Sequence, residues 1–89
     1  MKIYGAHEID KGWAHWKAAI DAHADAREVA GDHPILVAHE TDNPNKVHFV
    51  LEVPSLEALQ AFATAPENAP VLKEAGVKPE TMVMTPLPE

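Results

Sequence analysis

The order of apolar and amphipathic segments constrains this chain more than any other feature. Apolar runs suited to strands lie at 2–9, 35–41, 47–53 and 82–85, and stretches with helical period lie at 13–30 and 56–75. Apolar residues spaced at about 3.6 positions favour a helix, whereas short apolar runs bounded by turn formers favour strands. The order therefore predicts strand, helix, strand, strand, helix, strand.

This βαββαβ order is typical of the ferredoxin-like α+β fold, a four-stranded antiparallel sheet with two helices on one face. It occupies the whole chain, so we predict a single domain over residues 1–89. Ser55 is the expected N-cap of the second helix, Pro66 is expected to break it, and Gly31 and Gly76 are the natural stops of the two helical stretches.

The second and third strands are predicted to form a hairpin across the turn-rich segment 41–46. Symmetric closure places Val37 opposite Val50 and His39 opposite His48, where two charged rings would repel each other at low pH. Both faces of these strands carry apolar residues, and two helices cover only one face. We therefore expect a second copy of the chain to cover the other face in a homodimer.

Composition excludes several classes of function. The formal net charge is −7, whereas nucleic acids and anionic membranes are bound by basic surfaces, so we expect neither as a partner. The chain has no cysteine, which removes thiolate chemistry and cysteine metal sites. Residues 1–8 carry His and Glu where a signal peptide requires an apolar run, and no stretch reaches transmembrane length. The expected location is cytoplasmic.

The chain resembles the dimeric α+β barrel superfamily. The resemblance is carried by the βαββαβ order and by the segments 56–63, 65–67 and 73–77 (LEALQAFA, APE and KEAGV). They are similar to small bacterial members related to antibiotic-biosynthesis-monooxygenase-like proteins. The resemblance implies sheet-to-sheet dimers with ligand pockets between the sheet and the helices of each subunit. Haem-degrading members of this superfamily carry an Asn-Trp-His constellation. This chain has no Asn on the first strand, so the resemblance does not imply haem binding.

Six histidines are the main chemical signal. His7, His39 and His48 fall on three strands that the usual sheet order brings together, and they could converge on one face. Imidazoles transfer protons near neutral pH or bind divalent metals. Ordinary structural or interface roles stay open as the alternative, and no HxH or HExxH spacing supports a metal site, so none is predicted. The candidate catalytic residues are His23, His39 and His48.

The first helix places aromatic rings and an imidazole on one stripe. Trp13, Trp16 and His23 are either core residues or the wall of a pocket for a flat apolar ligand. Tyr4 and His7 point to opposite sides of the first strand, so only one of them can face that pocket. The predicted ligand contacts are Tyr4, His7, Trp13, Trp16 and Phe62.

Three classes of function are compatible with these features. The prediction is a small homodimer that binds a small apolar or aromatic ligand between helix and sheet, without a cofactor. The alternative is a cofactor-independent monooxygenase, cyclase or isomerase that uses histidine as general acid or base. The third class is a purely structural interaction module. Whether the protein is an enzyme stays open.

Overall fold

A computed structural model describes residues 1–88 and contains one four-stranded antiparallel sheet with the strand order β2-β3-β1-β4. The elements are β1 (Lys2–Ile9), α1 (Trp13–Ala22), α2 (Ala24–Val29), β2 (His33–His39), β3 (Lys46–Glu52), α3 (Leu56–Thr64), α4 (Ala69–Ala75) and β4 (Val77–Leu87). The predicted order of strands and helical stretches is confirmed, and β4 is longer than the final strand predicted over 81–85.

Each predicted helical stretch is a pair of helices. The break at Pro66 is confirmed, because α3 ends at Thr64 and α4 begins at Ala69, and Ser55 caps α3 by accepting the Ala58 N–H at 3.0 Å. The first stretch was predicted as one helix, but α1 ends at Ala22. There the N–H of His23 bonds to a carbonyl only three residues back, at 3.1 Å, which tightens the turn and redirects the chain.

The predicted hairpin register is wrong by one residue. His39 lies opposite Val47, and His48 lies opposite Ala38, so the two histidines are not cross-strand neighbours. The predicted repulsion between their rings therefore does not arise. A slip of one residue moves every side chain of a strand to the other face of the sheet. As a consequence β2 and β3 distribute their residues between the faces differently from the prediction.

The turn between the two strands explains this shift. The Lys46 N–H donates to the Asn43 carbonyl at 2.9 Å, and the Lys46 carbonyl accepts from the Glu40 N–H at 3.0 Å. Lys46 is therefore the first paired residue of β3, whereas symmetric closure had assigned it to the loop. The loop is one residue shorter than predicted, and the strands pair accordingly.

All four helices lie on one face of the sheet, and the core lies between them. Two groups of buried residues make up this core: Ile3, Phe49, Leu51, Val53 and Leu59 in the first, and Ile9, Trp16, Val47, Ala75 and Val77 in the second. The opposite face, which we call the free face, includes Tyr4, Ala6, Leu36, Ala38, His48, Val50, Val83 and Thr85. Within residues 1–88, no helix is long and apolar enough to cross a membrane.

Candidate functional site

A cavity of about 110 Å³ lies between the helices and the sheet. Its wall is mainly apolar and includes Trp16, Ile20, Phe49, Leu59, Phe62, Val71, Met82 and Met84. The polar side chains on the wall are His7, His23, Arg27, Asp32 and Asn68. A mainly apolar cavity with a few polar groups is the usual form of a small-molecule site.

The position of Phe49 on this wall depends on a glycine in the neighbouring strand. Gly5 pairs with Phe49 across β1 and β3. A Cβ atom at Gly5 would overlap the Phe49 ring and lie 3.0 Å from Met84 Sδ. The missing side chain at Gly5 therefore leaves room for the ring to lie flat across the strand.

His7 is the polar group that the sheet presents to the cavity. It is only 3% exposed, and its ring centroid lies 5.7 Å from that of Trp16 and 5.8 Å from that of Phe49. Its Nδ1 lies 3.2 Å from the Glu8 carbonyl oxygen. A carbonyl only accepts hydrogen bonds, so the proton of the neutral ring is on Nδ1 and Nε2 keeps its lone pair. Within residues 1–88, Nε2 makes no hydrogen bond.

The surroundings of His7 favour this neutral form. Burial lowers the pKa of His7 below its ordinary value of 6.5, and the positive charge of Lys46 acts in the same direction. The hydrogen bond to Glu8 acts in the opposite direction but does not offset the burial. At neutral pH, His7 is therefore an uncharged base with a free acceptor nitrogen.

Trp16 brings an unpaired donor to the same wall. The residue is 3% exposed, and its Nε1–H is buried with no acceptor among residues 1–88. Buried donors in folded proteins nearly always have a partner, so this orphan is unusual. Trp13 packs against Trp16 with 5.4 Å between centroids but is not part of the cavity wall. Instead, its ring lies 4.7 Å from that of His39, outside the cavity.

His23 stands at the turn between α1 and α2 and is held by a short hydrogen-bond chain. The Asn68 amide donates through Nδ2 to the Phe62 carbonyl at 2.7 Å, which orients its Oδ1 as an acceptor. His23 Nε2 lies 2.8 Å from that oxygen and donates to it. The His23 ring also packs on the Phe62 ring, with 5.7 Å between centroids. The sequence analysis did not identify Asn68 as a site residue.

Arg27 and Asp32 form an ion pair at one end of the cavity. Arg27 Nε lies 3.4 Å from Asp32 Oδ2, and the Asp32 side chain is 6% exposed. The second carboxylate oxygen, Oδ1, is buried with no hydrogen-bond donor among residues 1–88. The sequence analysis did not identify Asp32, because an Asp directly after Gly31 is typical of an exposed turn.

Tyr4 and His48 lie on the free face, away from the cavity. His48 Nε2 lies 2.7 Å from Glu40 Oε2, and since a carboxylate only accepts, this nitrogen carries the proton. In the neutral ring, His48 Nδ1 then accepts a hydrogen bond from the Tyr4 hydroxyl at 2.7 Å. The predicted convergence of the three strand histidines is wrong: His48 is on the free face, and His39 is exposed at the end of β2.

The structure thus divides the candidate residues into two groups. His7, Trp16, His23 and Phe62 line the cavity, whereas Tyr4, Trp13, His39 and His48 do not. As expected, Tyr4 and His7 are on opposite faces of β1. Among residues 1–88, no three His, Cys, Asp or Glu side chains are grouped closely enough to hold a metal ion.

Solved structures share this fold over nearly the whole chain. One, from Bordetella bronchiseptica, has a TM-score of 0.73 at 12% identity and covers 94% of this chain and 90% of its own. A second, from Chloroflexus aurantiacus, has a TM-score of 0.63 at 14% identity, with coverages of 99% and 93%. A third, from Deinococcus radiodurans, has a TM-score of 0.58 at 16% identity, with coverages of 100% and 94%. All three are proposed antibiotic biosynthesis monooxygenases.

These similarities confirm the ferredoxin-like α+β fold. At such low identity they concern the fold alone, because one fold hosts many activities. No protein-family model matches the sequence, and a comparison with curated proteins finds no relative.

Proposed function

We propose that the protein is a homodimer that binds a small apolar or aromatic ligand in the cavity between its helices and its sheet. The observation that carries the proposal is the combination of an apolar wall with the Trp16 Nε1–H, which is buried without an acceptor among residues 1–88. Such a group is costly to leave unpaired. A ligand that accepts this hydrogen bond and fills the cavity removes that cost.

The size of the cavity limits the ligand. Its volume of about 110 Å³ compares with the roughly 150 Å³ of an engineered cavity in another protein that binds benzene. A single ring or a compact aliphatic group is therefore the suitable scale. Met82 and Met84 on the wall have flexible side chains that can give way to a slightly larger ligand.

The proposed dimer is supported by apolar side chains on the free face. Leu36 is 56% exposed and Val83 is 51% exposed, on opposite edge strands of the sheet. Covering such a surface is worth roughly 25 cal/mol per Å² before the costs of association are subtracted. Sedimentation at micromolar concentration tests this part of the proposal, and a stable monomer would contradict it.

A second candidate function is cofactor-independent catalysis with His7 as general base. It is supported by the free Nε2 of His7 and by the lowered pKa, which together leave an uncharged imidazole at the cavity. His23 is a second candidate for proton transfer, because it lines the same cavity. His39 and His48 are not retained in these roles, since both are outside the cavity. The structural neighbours proposed as antibiotic biosynthesis monooxygenases share the fold of this chain, and they support a catalytic function only to that extent.

The test is a screen of small aromatic and aliphatic compounds by tryptophan fluorescence and thermal shift. Trp16→Phe removes the orphan donor and should weaken binding, whereas Trp13→Phe is the matched control outside the cavity and should not. His7→Gln separates the two candidates when each compound that binds is also assayed for chemical conversion by the protein. An enzyme that uses His7 as its base converts a bound compound, and the variant still binds that compound but loses turnover, whereas a binding protein converts none. Binding that is indifferent to Trp16→Phe would refute the proposed site.

A further inference from the structure

We propose that Asp32 is the anchor of this cavity for a neutral hydrogen-bond donor, a hydroxyl or an amide N–H, on an otherwise apolar ligand. The inference rests on the proposed ligand-binding function and specifies the chemistry of the ligand. It assigns a role to a residue that neither a sequence motif nor the candidate histidines indicate.

One oxygen of the Asp32 carboxylate is unsatisfied. Asp32 is 6% exposed, it lines the cavity, and its Oδ1 has no donor among residues 1–88. Its other oxygen has only the Arg27 Nε at 3.4 Å, which is longer than the roughly 2.7–2.9 Å of a good charge-assisted bond. A buried carboxylate normally has several donors. Asp32 therefore has capacity for at least one more.

The Asp32 carboxylate is held in place before a ligand arrives. The Asp32 N–H donates to the Arg27 carbonyl at 2.9 Å, so both the backbone and the side chain of Asp32 are tied to α2. A prepositioned acceptor binds without an additional cost of ordering. The same pair also borders an outer cleft of about 210 Å³, which includes the half-buried Lys17 and the exposed Asp21 and Glu28. Asp32 thus stands where the inner cavity meets a cleft on the surface.

The Arg27–Asp32 pair determines which charge the ligand group can carry. Arg27 balances the charge of Asp32, so an ammonium group would face the guanidinium as well as the carboxylate. A carboxylate ligand would be repelled by Oδ1. A purely apolar group would leave Oδ1 unpaired and dry. A neutral donor satisfies Oδ1 without adding charge to a buried pair, and this is the ligand chemistry that we infer.

The experiment uses four probes with one ring and different substituents: toluene, benzyl alcohol, benzylamine and benzoate. Dissociation constants are measured for the full chain at neutral pH by calorimetry or by ligand-observed NMR. In the wild type, benzyl alcohol should bind more tightly than benzylamine or benzoate. If either charged probe binds best, the choice of a neutral donor is wrong.

The decisive variant replaces the pair together, as Arg27→Met with Asp32→Leu. Asp32→Leu alone would leave a buried, unpaired guanidinium, whereas an apolar replacement of a whole buried pair is often tolerated. The measured quantity is the preference for the hydroxyl, defined as the dissociation constant of toluene divided by that of benzyl alcohol. We expect this ratio to fall about tenfold in the double variant, as loss of a hydrogen bond to a charged group predicts. Toluene should still bind.

The control is Glu28→Gln, which removes a carboxylate from the outer cleft but not from the cavity. It should leave the ratio unchanged. If none of the probes binds the wild type, the proposed ligand-binding function itself is refuted. If toluene and benzyl alcohol both bind and the ratio is the same in the double variant, the cavity binds ligands but Asp32 is not their anchor.

Discussion

Replacing His7 with glutamine should flatten the dependence of stability on pH below neutrality. Burial lowers the pKa of His7 in the folded protein below the ordinary value of 6.5. As the pH falls through about 6.5, the unfolded chain takes up a proton at this residue while the folded chain resists it. The free energy of unfolding therefore decreases as the pH falls. The contribution of the uncharged His7 to it is fully present only above this range.

The magnitude follows from the single proton involved. One proton bound by the unfolded state and not by the folded state changes the free energy of unfolding by at most about 1.4 kcal/mol per pH unit. The decrease begins near pH 6.5 and levels off once the pH passes the lowered pKa of the folded state. His7→Gln removes this contribution. The free energies of unfolding of the wild type and the variant should therefore approach each other as the pH falls.

The assay is chemical denaturation followed by tryptophan fluorescence, at one fixed protein concentration and a series of pH values from neutral to about 5. A fixed concentration matters because association of copies also changes apparent stability. His33→Gln is the matched control, since His33 is exposed and is not part of the cavity wall. This control should keep the wild-type slope. A His7→Gln variant with the same slope as the wild type would refute the reasoning.

Three further predictions use other parts of the structure. Gly5→Ala should lower the free energy of unfolding by roughly 1–3 kcal/mol in denaturant titrations, because its Cβ overlaps the Phe49 ring; a neutral result would mean that the ring has room to move. Leu36→Asp should convert the proposed dimer to monomers in sedimentation, whereas Val29→Asp, at a 90% exposed position on α2, should not. Tyr4→Phe removes the hydroxyl that donates across the sheet at 2.7 Å and should cost about 1 kcal/mol of stability; an equally stable variant would show that this bond contributes nothing.

The two faces of the sheet carry different chemical groups, which is consistent with a ligand site on one face and an interface on the other. The helix face carries an uncharged imidazole and an orphan indole N–H in an apolar cavity, whereas the free face carries the hydrogen-bonded chain Glu40–His48–Tyr4. In the proposed dimer, the free face is covered by a second copy while the cavity of each copy stays on the outer side of its own sheet. The ligand site and the interface are then separate, and substitutions in one should leave the other unchanged.

The elements of this fold could be predicted from the sequence because their signals are local. Ser55 caps α3 by accepting the N–H of Ala58, three residues further on. Pro66 lacks the N–H that a continuous helix needs. Gly76 adopts the positive φ of 84° that ends α4. Each of these depends on a few adjacent residues. Apolar spacing also sufficed to place Trp16 on the stripe of the first helix that faces the core or a pocket.

The hairpin register and the polar groups of the cavity were decided by tertiary structure. The hydrogen bonds at Lys46 shorten the loop by a residue, and the resulting register separates His39 from His48. His48 pairs with Ala6 on the free face, and His7 is the strand histidine on the cavity wall. In the sequence, Asn68 and Asp32 are typical of turns or helix caps. Their burial could not be predicted, because it results from the packing of segments that are distant in the chain. Apolar periodicity determines which side of an element is buried, but only the packing of all elements determines which polar atoms are buried with it and which of them lack a partner.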